Sequence, residues 1–176
     1  EYATIGIPGK VFWGKEQYLG VVTCPVFFLL LALEFSHLDR WLTRRNIAAF
    51  FVMPSITLLL AFTNEWHGLL WPTVTPVGAP EANLALYGHG IAFWIGSVGY
   101  SYVLMLLGTI LLVRSAMRFP ALYRMQAWML TLAVLLPWAV NIIYVAGFSP
   151  MPGLELTPLV LVFTGSIFAW NILRLR

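Results

Sequence analysis

The sequence predicts an all-α polytopic membrane protein, a bundle of transmembrane helices, and three observations support this. The hydrophobic fraction is 60% and the charged fraction only 10%, whereas soluble globular proteins carry about 25% charged residues. Five apolar segments are each long enough to cross a hydrocarbon core of about 30 Å. Arginines concentrate in alternate connections between these segments. The formal net charge of +3 is too small to indicate a nucleic-acid partner.

The first sixteen residues predict an interfacial lead-in to the bundle. Residues 5–10 contain Gly and Pro, which indicates a turn. Trp13 lies between Lys10 and Lys15, a pattern that suits the lipid headgroup region. We therefore expect the first span to begin at about residue 17 and to end at about residue 38.

One internal charge, Glu34, lies in this first span. A carboxylate inside a membrane is costly unless it is functional or paired. Because Glu34 lies one turn from an arginine-rich connection, we expect it to pair with Arg40 or Arg45. A functional role is the alternative.

The second span is predicted at about residues 46–63, with a kink at Pro54. The connection that follows, residues 64–90, contains three prolines and is long for a compact bundle. Long ordered connections are often functional, so we expect this loop to matter for function.

The other three spans are predicted at about 91–113, 123–145 and 156–174. In the third, the small residues Gly96, Gly99, Ser97 and Ser101 give faces on which another helix can approach closely. In the fifth, Thr157 and Pro158 are typical of a helix N-cap and first helical residue. Residues 1–176 are interpreted as one transmembrane domain.

The distribution of cations predicts the orientation in the membrane. With five alternating crossings, Lys10 and Lys15 fall on one side and all eight arginines on the other. Cytoplasmic connections carry the excess of Lys and Arg. We therefore expect a prokaryotic inner or plasma membrane protein with the 64–90 loop outside and the C-terminal end in the cytoplasm. The arginines are Arg40, Arg44, Arg45, Arg114, Arg118, Arg124, Arg174 and Arg176.

Polar and aromatic side chains concentrate at the start of the external loop, at Asn64, Glu65, Trp66, His67 and Trp71. Imidazole titrates near neutral pH, so His67 beside a carboxylate suits ligand binding, proton transfer or pH sensing. The alternative is a helix cap with a belt of indoles at the lipid–water boundary. Both interpretations stay open.

A second candidate group lies on the later spans. An amide inside a span, such as Asn141, normally hydrogen-bonds between helices. Alternatively Asn141 lines a ligand pocket with Tyr100, Tyr102 and the external loop. Glu155, which opens the last span, is included among the candidate signal residues.

Several chemistries are missing from the sequence. No phosphate-binding P-loop, GxSxG or HExxH pattern occurs, and the single Cys24 excludes a CxxC metal site. No lysine lies within a span, so a retinal Schiff base has no attachment point. We therefore expect neither catalysis nor a bound cofactor in these residues.

Seven short motifs occur in order along nearly the whole chain. They are residues 17–20 (QYLG), 31–35 (LALEF), 63–71 (TNEWHGLLW), 100–109 (YSYVLMLLGT), 123–127 (YRMQA), 136–141 (LPWAVN) and 150–158 (PMPGLELTP). Together they resemble the N-terminal seven-helix sensor region of membrane histidine kinases. The resemblance implies that the five spans correspond to helices three to seven of that family.

The resemblance implies a sensory input domain. A stimulus from outside or from the membrane, an unidentified small molecule or membrane-borne ligand, would act on the candidate residues. The last helix would pass the signal to a cytoplasmic kinase output, within a homodimer or larger assembly in the lipid bilayer. No phosphoacceptor or ATP-binding motif is present, so kinase activity is not assigned to these residues. The alternative is a non-catalytic accessory subunit in which His37, His67 or His89 ligates a haem or pigment.

Overall fold

The computed structural model describes residues 6–77, 84–118, 121–148 and 157–174. The chain divides into two compact units, residues 1–108 and 109–176. Three helical stretches, Ile7–Phe35, Arg44–Phe62 and Phe93–Arg118, are long and apolar enough to cross a membrane, and Thr131–Val145 is a shorter apolar helix. The predicted all-α membrane-spanning fold class is therefore confirmed.

The described residues contain six α-helices, two short strands, one 3-10 turn and one π-helical segment. The helices are α1 (Ile7–Phe35), α2 (Arg44–Phe62), α3 (Asn64–His67), α4 (Ser101–Arg118), α5 (Ala121–Val145) and α6 (Thr157–Arg174). The strands are β1 (Val74–Val77) and β2 (Leu84–Tyr87), Asp39–Trp41 forms a 3-10 turn, and Phe93–Tyr100, called the π segment below, is π-helical.

Helix α1 begins ten residues before its predicted start. Gly6 precedes it with φ +91°, and Pro8 lies in the first turn. The predicted turn over residues 5–10 is therefore wrong from Ile7 onward, because proline in a first helical turn gives up no hydrogen bond and has a suitable φ. With 29 residues the helix is about 43 Å long, so it either tilts or extends beyond a 30 Å core.

Helix α2 agrees with the predicted second span to within two residues. Thr43 caps its start, since the Thr43 side chain accepts a hydrogen bond from the Asn46 amide at 3.3 Å. Pro54 lies inside the helix and is buried. Helices α1 and α2 pack against each other.

The connection after α2 contains regular structure that the sequence does not predict. Strands β1 and β2 pair antiparallel, with Val74 opposite Tyr87 and Val77 opposite Leu84. The hairpin and α3 lie at one end of α1 and α2, called the loop end below. The core at this end consists of buried Tyr18, Val22, Ala61, Leu70 and Trp71.

The π segment packs against α2 at a very close approach. A Cβ atom added to Gly96 would overlap the Thr57 hydroxyl, so only glycine fits at this crossing. Further along, a Cβ added to Gly108 would overlap the Phe28 ring of α1. The predicted use of Gly96 as a helix-packing residue is therefore confirmed.

The second unit contains α5 packed against α6. Both helices begin within two residues of their predicted starts and end at the predicted residues, 145 and 174. Pro137 lies inside α5. The Thr164 hydroxyl donates to the Val160 carbonyl within α6 at 2.8 Å, which satisfies a polar group on an apolar helix.

Candidate functional site

Asn64 holds the turn that follows α3. Its Oδ1 accepts hydrogen bonds from the backbone amides of Leu70 and Trp71, both at 3.0 Å, and its Nδ2 donates to the Trp71 carbonyl at 2.9 Å. Gly68 ends α3 in the left-handed conformation with φ +60°, which favours glycine. The Asn64 side chain thus pairs with two backbone amides and one backbone carbonyl where the chain reverses its direction.

His67 forms two further hydrogen bonds at the same turn. Its Nδ1 accepts from the Leu69 amide at 3.0 Å, and its Nε2 lies 3.1 Å from the Thr63 hydroxyl. That hydroxyl donates its hydrogen to the Leu59 carbonyl at 2.7 Å, so it accepts from Nε2–H. In these bonds Nδ1 is therefore an acceptor and Nε2 carries a hydrogen.

Glu65 forms an ion pair with Lys15 of α1. The Lys15 Nζ donates to the two carboxylate oxygens at 2.5 and 2.7 Å, and also to the Phe62 carbonyl at 3.0 Å. The hydrogen bond from Lys15 and the positive charge lower the pKa of the Glu65 carboxyl. Because the Glu65 side chain is 59% exposed, the pair contributes only about 0–1 kcal/mol. It ties the start of α1 to the end of α2.

Trp71 lies in the core of the loop end. It is 7% exposed and packs edge-on against Tyr18 of α1, with ring centroids 5.0 Å apart, and against Tyr87 of β2 at 5.3 Å. The Tyr18 hydroxyl hydrogen-bonds the Ser97 hydroxyl of the π segment at 2.8 Å. One indole therefore connects the turn, the hairpin and α1, and α1 connects it to the third span.

The turn is also bonded directly to the start of the third span. The Gly90 amide donates to the Leu70 carbonyl at 2.9 Å, and the Ala92 amide donates to the Leu69 carbonyl at 3.1 Å. A Cβ atom on Gly90 would overlap the Leu69 carbonyl oxygen. We call residues 63–71, with Lys15, Tyr18 and Ser97, the loop cluster.

Trp66 belongs to this cluster, and His89 lies beside it. Trp66 is 87% exposed, which suits the predicted boundary belt, whereas Trp71 does not belong to a belt. The His89 ring stacks on Phe93 with centroids 3.9 Å apart and planes 6° apart. Burial lowers the pKa of the His89 imidazole.

Tyr100, the last residue of the π segment, forms a hydrogen bond to α2. Its hydroxyl donates to the Phe50 carbonyl of α2 at 2.8 Å. In an α-helix that carbonyl would accept from residue 54, but Pro54 has no N–H to donate. Tyr100 therefore supplies the hydrogen bond that the proline removes, and it holds the third span to α2 at the proline.

The other predicted residues lie elsewhere in the fold. Tyr102, in the first turn of α4, and Asn141, on α5 of the second unit, are half-buried; both take part in interactions. Glu155 lies outside the described residues. Glu34, Arg40 and Arg45 are all exposed, and among the described residues no ion pair links them, so that pairing stays a prediction.

Sequence reasoning misses the partners that assemble the cluster. From the sequence, Lys15 is only an interfacial charge, and Tyr18 is only part of the 17–20 motif. Ser97 is only a small residue in the third span. Within the described residues, no group of three or more His, Cys, Asp or Glu side chains is arranged to hold a metal ion.

The family model described as the N-terminal 7TM region of histidine kinase matches residues 1–176. The chain belongs to this family. The predicted resemblance is thereby confirmed, and the family is a membrane-embedded sensory input region of histidine kinases. No curated protein and no solved structure matches the chain.

Proposed function

We propose that this input domain detects an extracellular or membrane-borne stimulus at the loop cluster and passes it through its last helix, α6, to a cytoplasmic kinase output. The observation that carries the proposal is the packing of Trp71 on Tyr18, whose hydroxyl bonds Ser97. Through these contacts and the Lys15–Glu65 pair, the residues of one turn are linked to α1, to the end of α2 and to the start of the third span. A change in the turn therefore acts on three membrane-spanning helices together.

The π segment is the element that such a change would move. A π-helical stretch is rare and is frequently found at functional sites, and this one has eight residues. Ser97 and Tyr100 fix it to α1 and α2. A stimulus shifts the balance between two helix arrangements only if it binds them with different affinity.

The orientation in this proposal rests on the arginine distribution. The loop end faces outward and the C-terminal end of α6 faces the cytoplasm of a prokaryotic cell, in agreement with the positive-inside rule. The chain itself is a non-catalytic input domain that works in the bilayer as a homodimer or larger assembly. Its ligand is a small or membrane-borne molecule that reaches the exposed rim around Trp66.

The test is kinase autophosphorylation by the full-length gene product in proteoliposomes. Trp66→Ala removes an indole that is 87% exposed and so contributes little to packing. Glu65→Ala, His67→Ala and Asn141→Ala probe the other candidate residues. We expect at least one loop-cluster variant to change the output while its unfolding temperature stays close to that of the wild type.

Trp41→Ala is the matched control. Trp41 is also an exposed tryptophan, at 47%, but it lies in the 3-10 turn at the opposite end of α1. It should leave the output unchanged. Wild-type output from all the loop-cluster variants would contradict the proposal and favour an accessory subunit without sensing.

A further inference from the structure

We infer that His67 is a proton-binding site and that binding of the proton opens the turn after α3, so that the proton is itself a ligand of the loop cluster. The consequence for kinase output rests on the proposed function. The proton site itself rests only on the hydrogen-bond geometry.

Counting hydrogens shows which ring nitrogen of His67 must accept a hydrogen bond. A backbone N–H only donates, so the bond from the Leu69 amide at 3.0 Å requires a lone pair on Nδ1. The hydroxyl of Thr63 uses its single hydrogen on the Leu59 carbonyl, so it accepts from Nε2–H. An added proton must occupy Nδ1, where it faces another donor. Protonation therefore breaks the bond to Leu69 while it keeps the bond to Thr63.

The broken bond lies one peptide before a carbonyl that the third span contacts. The Leu69 carbonyl accepts from the Ala92 amide and the Leu70 carbonyl accepts from the Gly90 amide. Ala92 immediately precedes the π segment. The Leu69 N–H belongs to the peptide between residues 68 and 69, and the Leu69 carbonyl belongs to the next peptide. Because Gly90 leaves no room even for a Cβ atom beside that carbonyl, a movement of Leu69 that reaches its carbonyl displaces the start of that segment.

The charged side chains nearest to His67 are Glu65 and its partner Lys15. Glu65 lies on the same short helix, but its carboxylate is already bonded to Lys15 of α1. Helix α2, which packs against α3, presents the carbonyls of Leu59 and Phe62 and no titratable group at this end. Glu16 is exposed on α1, and His89, beyond the hairpin, stacks on Phe93. The hydrogen bond from the Leu69 amide to Nδ1 is the contact that an added proton changes directly.

The direct test uses the whole chain in lipid nanodiscs with nitrogen-15-labelled histidine and leucine. Resonances of His67 are those that disappear in His67→Asn, whose Oδ1 also accepts from the Leu69 amide but takes up no proton. At pH 8 we expect the Nε2–H tautomer. On acidification to pH 5, exchange protection of the Leu69 amide, corrected for intrinsic rate, should fall by about tenfold or more.

Two controls make the result decisive. In His67→Asn the Leu69 amide should stay protected at both pH values, and His89→Asn should behave like the wild type. An Nδ1–H tautomer at pH 8 would overturn the inference. So would an imidazolium at pH 5 whose Leu69 amide is as protected as before.

Autophosphorylation of the full-length gene product separates this inference from the proposed function. A pH response that disappears in His67→Asn and persists in His89→Asn supports both. A pH response that His67→Asn retains overturns the proton inference, even where Trp66→Ala shows that the loop cluster controls output. If no loop variant changes output while the turn still opens with acid, the proposed function is refuted and the proton site stands.

Discussion

The hydrogen bond from Tyr100 to the Phe50 carbonyl leads to a prediction that involves Pro54. Tyr100→Phe removes only the hydroxyl. Hydrogen bonds between helices in membranes are worth about 0.6 kcal/mol on average and about 1.7 at most. Because Pro54 provides no alternative donor, Phe50 would keep a carbonyl without a partner, and we expect a cost of about 1–1.5 kcal/mol, in the upper part of that range.

Pro54→Ala should remove most of this cost. Alanine at position 54 supplies the N–H that an α-helix directs to the Phe50 carbonyl. In the Pro54→Ala background, Tyr100→Phe should therefore cost less than about 0.5 kcal/mol, which gives a coupling energy of about 1 kcal/mol in a double-mutant cycle. The assay is reversible unfolding in detergent micelles for the wild type, both single variants and the double variant.

Tyr18→Phe is the matched control for this cycle. It also removes a phenol hydroxyl from a helix contact, but the partner is Ser97 and not a carbonyl freed by proline. Its cost should be the same in the wild-type and the Pro54→Ala backgrounds. An equal cost of Tyr100→Phe in the two backgrounds would refute the assignment of Tyr100 to the carbonyl that Pro54 leaves open.

Three further predictions concern the loop end and the helix crossing. Asn64→Ala removes three hydrogen bonds and should destabilise the protein by about 2–3 kcal/mol, with a smaller loss for Asn64→Asp; exchange of the Leu70 and Trp71 amides checks this. Gly96→Ala should cost about 1–3 kcal/mol through overlap with Thr57, and Thr57→Ala should recover part of that cost in the same unfolding assay. Glu65→Gln should cost only about 0–1 kcal/mol, less at high salt. Lys15 lowers the pKa of Glu65, so the stabilisation by the pair is complete above the ordinary glutamate pKa of about 4.3. It is lost as the pH falls through the lowered pKa. At that low pH the unfolding temperatures of the wild type and of Glu65→Gln should converge.

The spans could be predicted because length, apolar content and flanking arginines act locally. Helices α2, α5 and α6 lie within two residues of their predicted bounds. The predicted start of α1 is wrong because Pro8 and Gly9 indicate a turn, although proline is equally suited to a first helical turn. The same dipeptide is compatible with both structures, and packing decides between them.

The hairpin and the π segment have no usable signal in the sequence. Each strand has only four residues, and Pro76 lies inside β1, where proline normally argues against a strand. A π-helical stretch differs from an α-helix in its hydrogen-bond register and not in its composition. Composition therefore does not reveal where it forms.

Only those residues of the candidate site that are close together in the sequence could be predicted. Asn64, Glu65, His67 and Trp71 are close in sequence, so their types and spacing identify them. Their partners are distant: Lys15 lies 50 residues from Glu65, and Tyr18 lies 79 residues from Ser97. Spacing does not reveal such pairs, because they depend on how the helices pack. For the same reason the sequence does not reveal that the Tyr100 hydroxyl bonds a carbonyl of α2.

The central claim, that the loop cluster controls a cytoplasmic output through the last helix, is tested most directly at the junction after Arg174. The chain is joined there to a cytoplasmic histidine kinase core with zero to four inserted alanines, and autophosphorylation is measured in membrane vesicles. Each insertion turns the output domain by about 100° relative to α6. The account predicts an output that rises and falls with a period of about one helical turn and that shifts with Trp66→Ala but not with Trp41→Ala. An output that is the same at every junction and in both variants would contradict it.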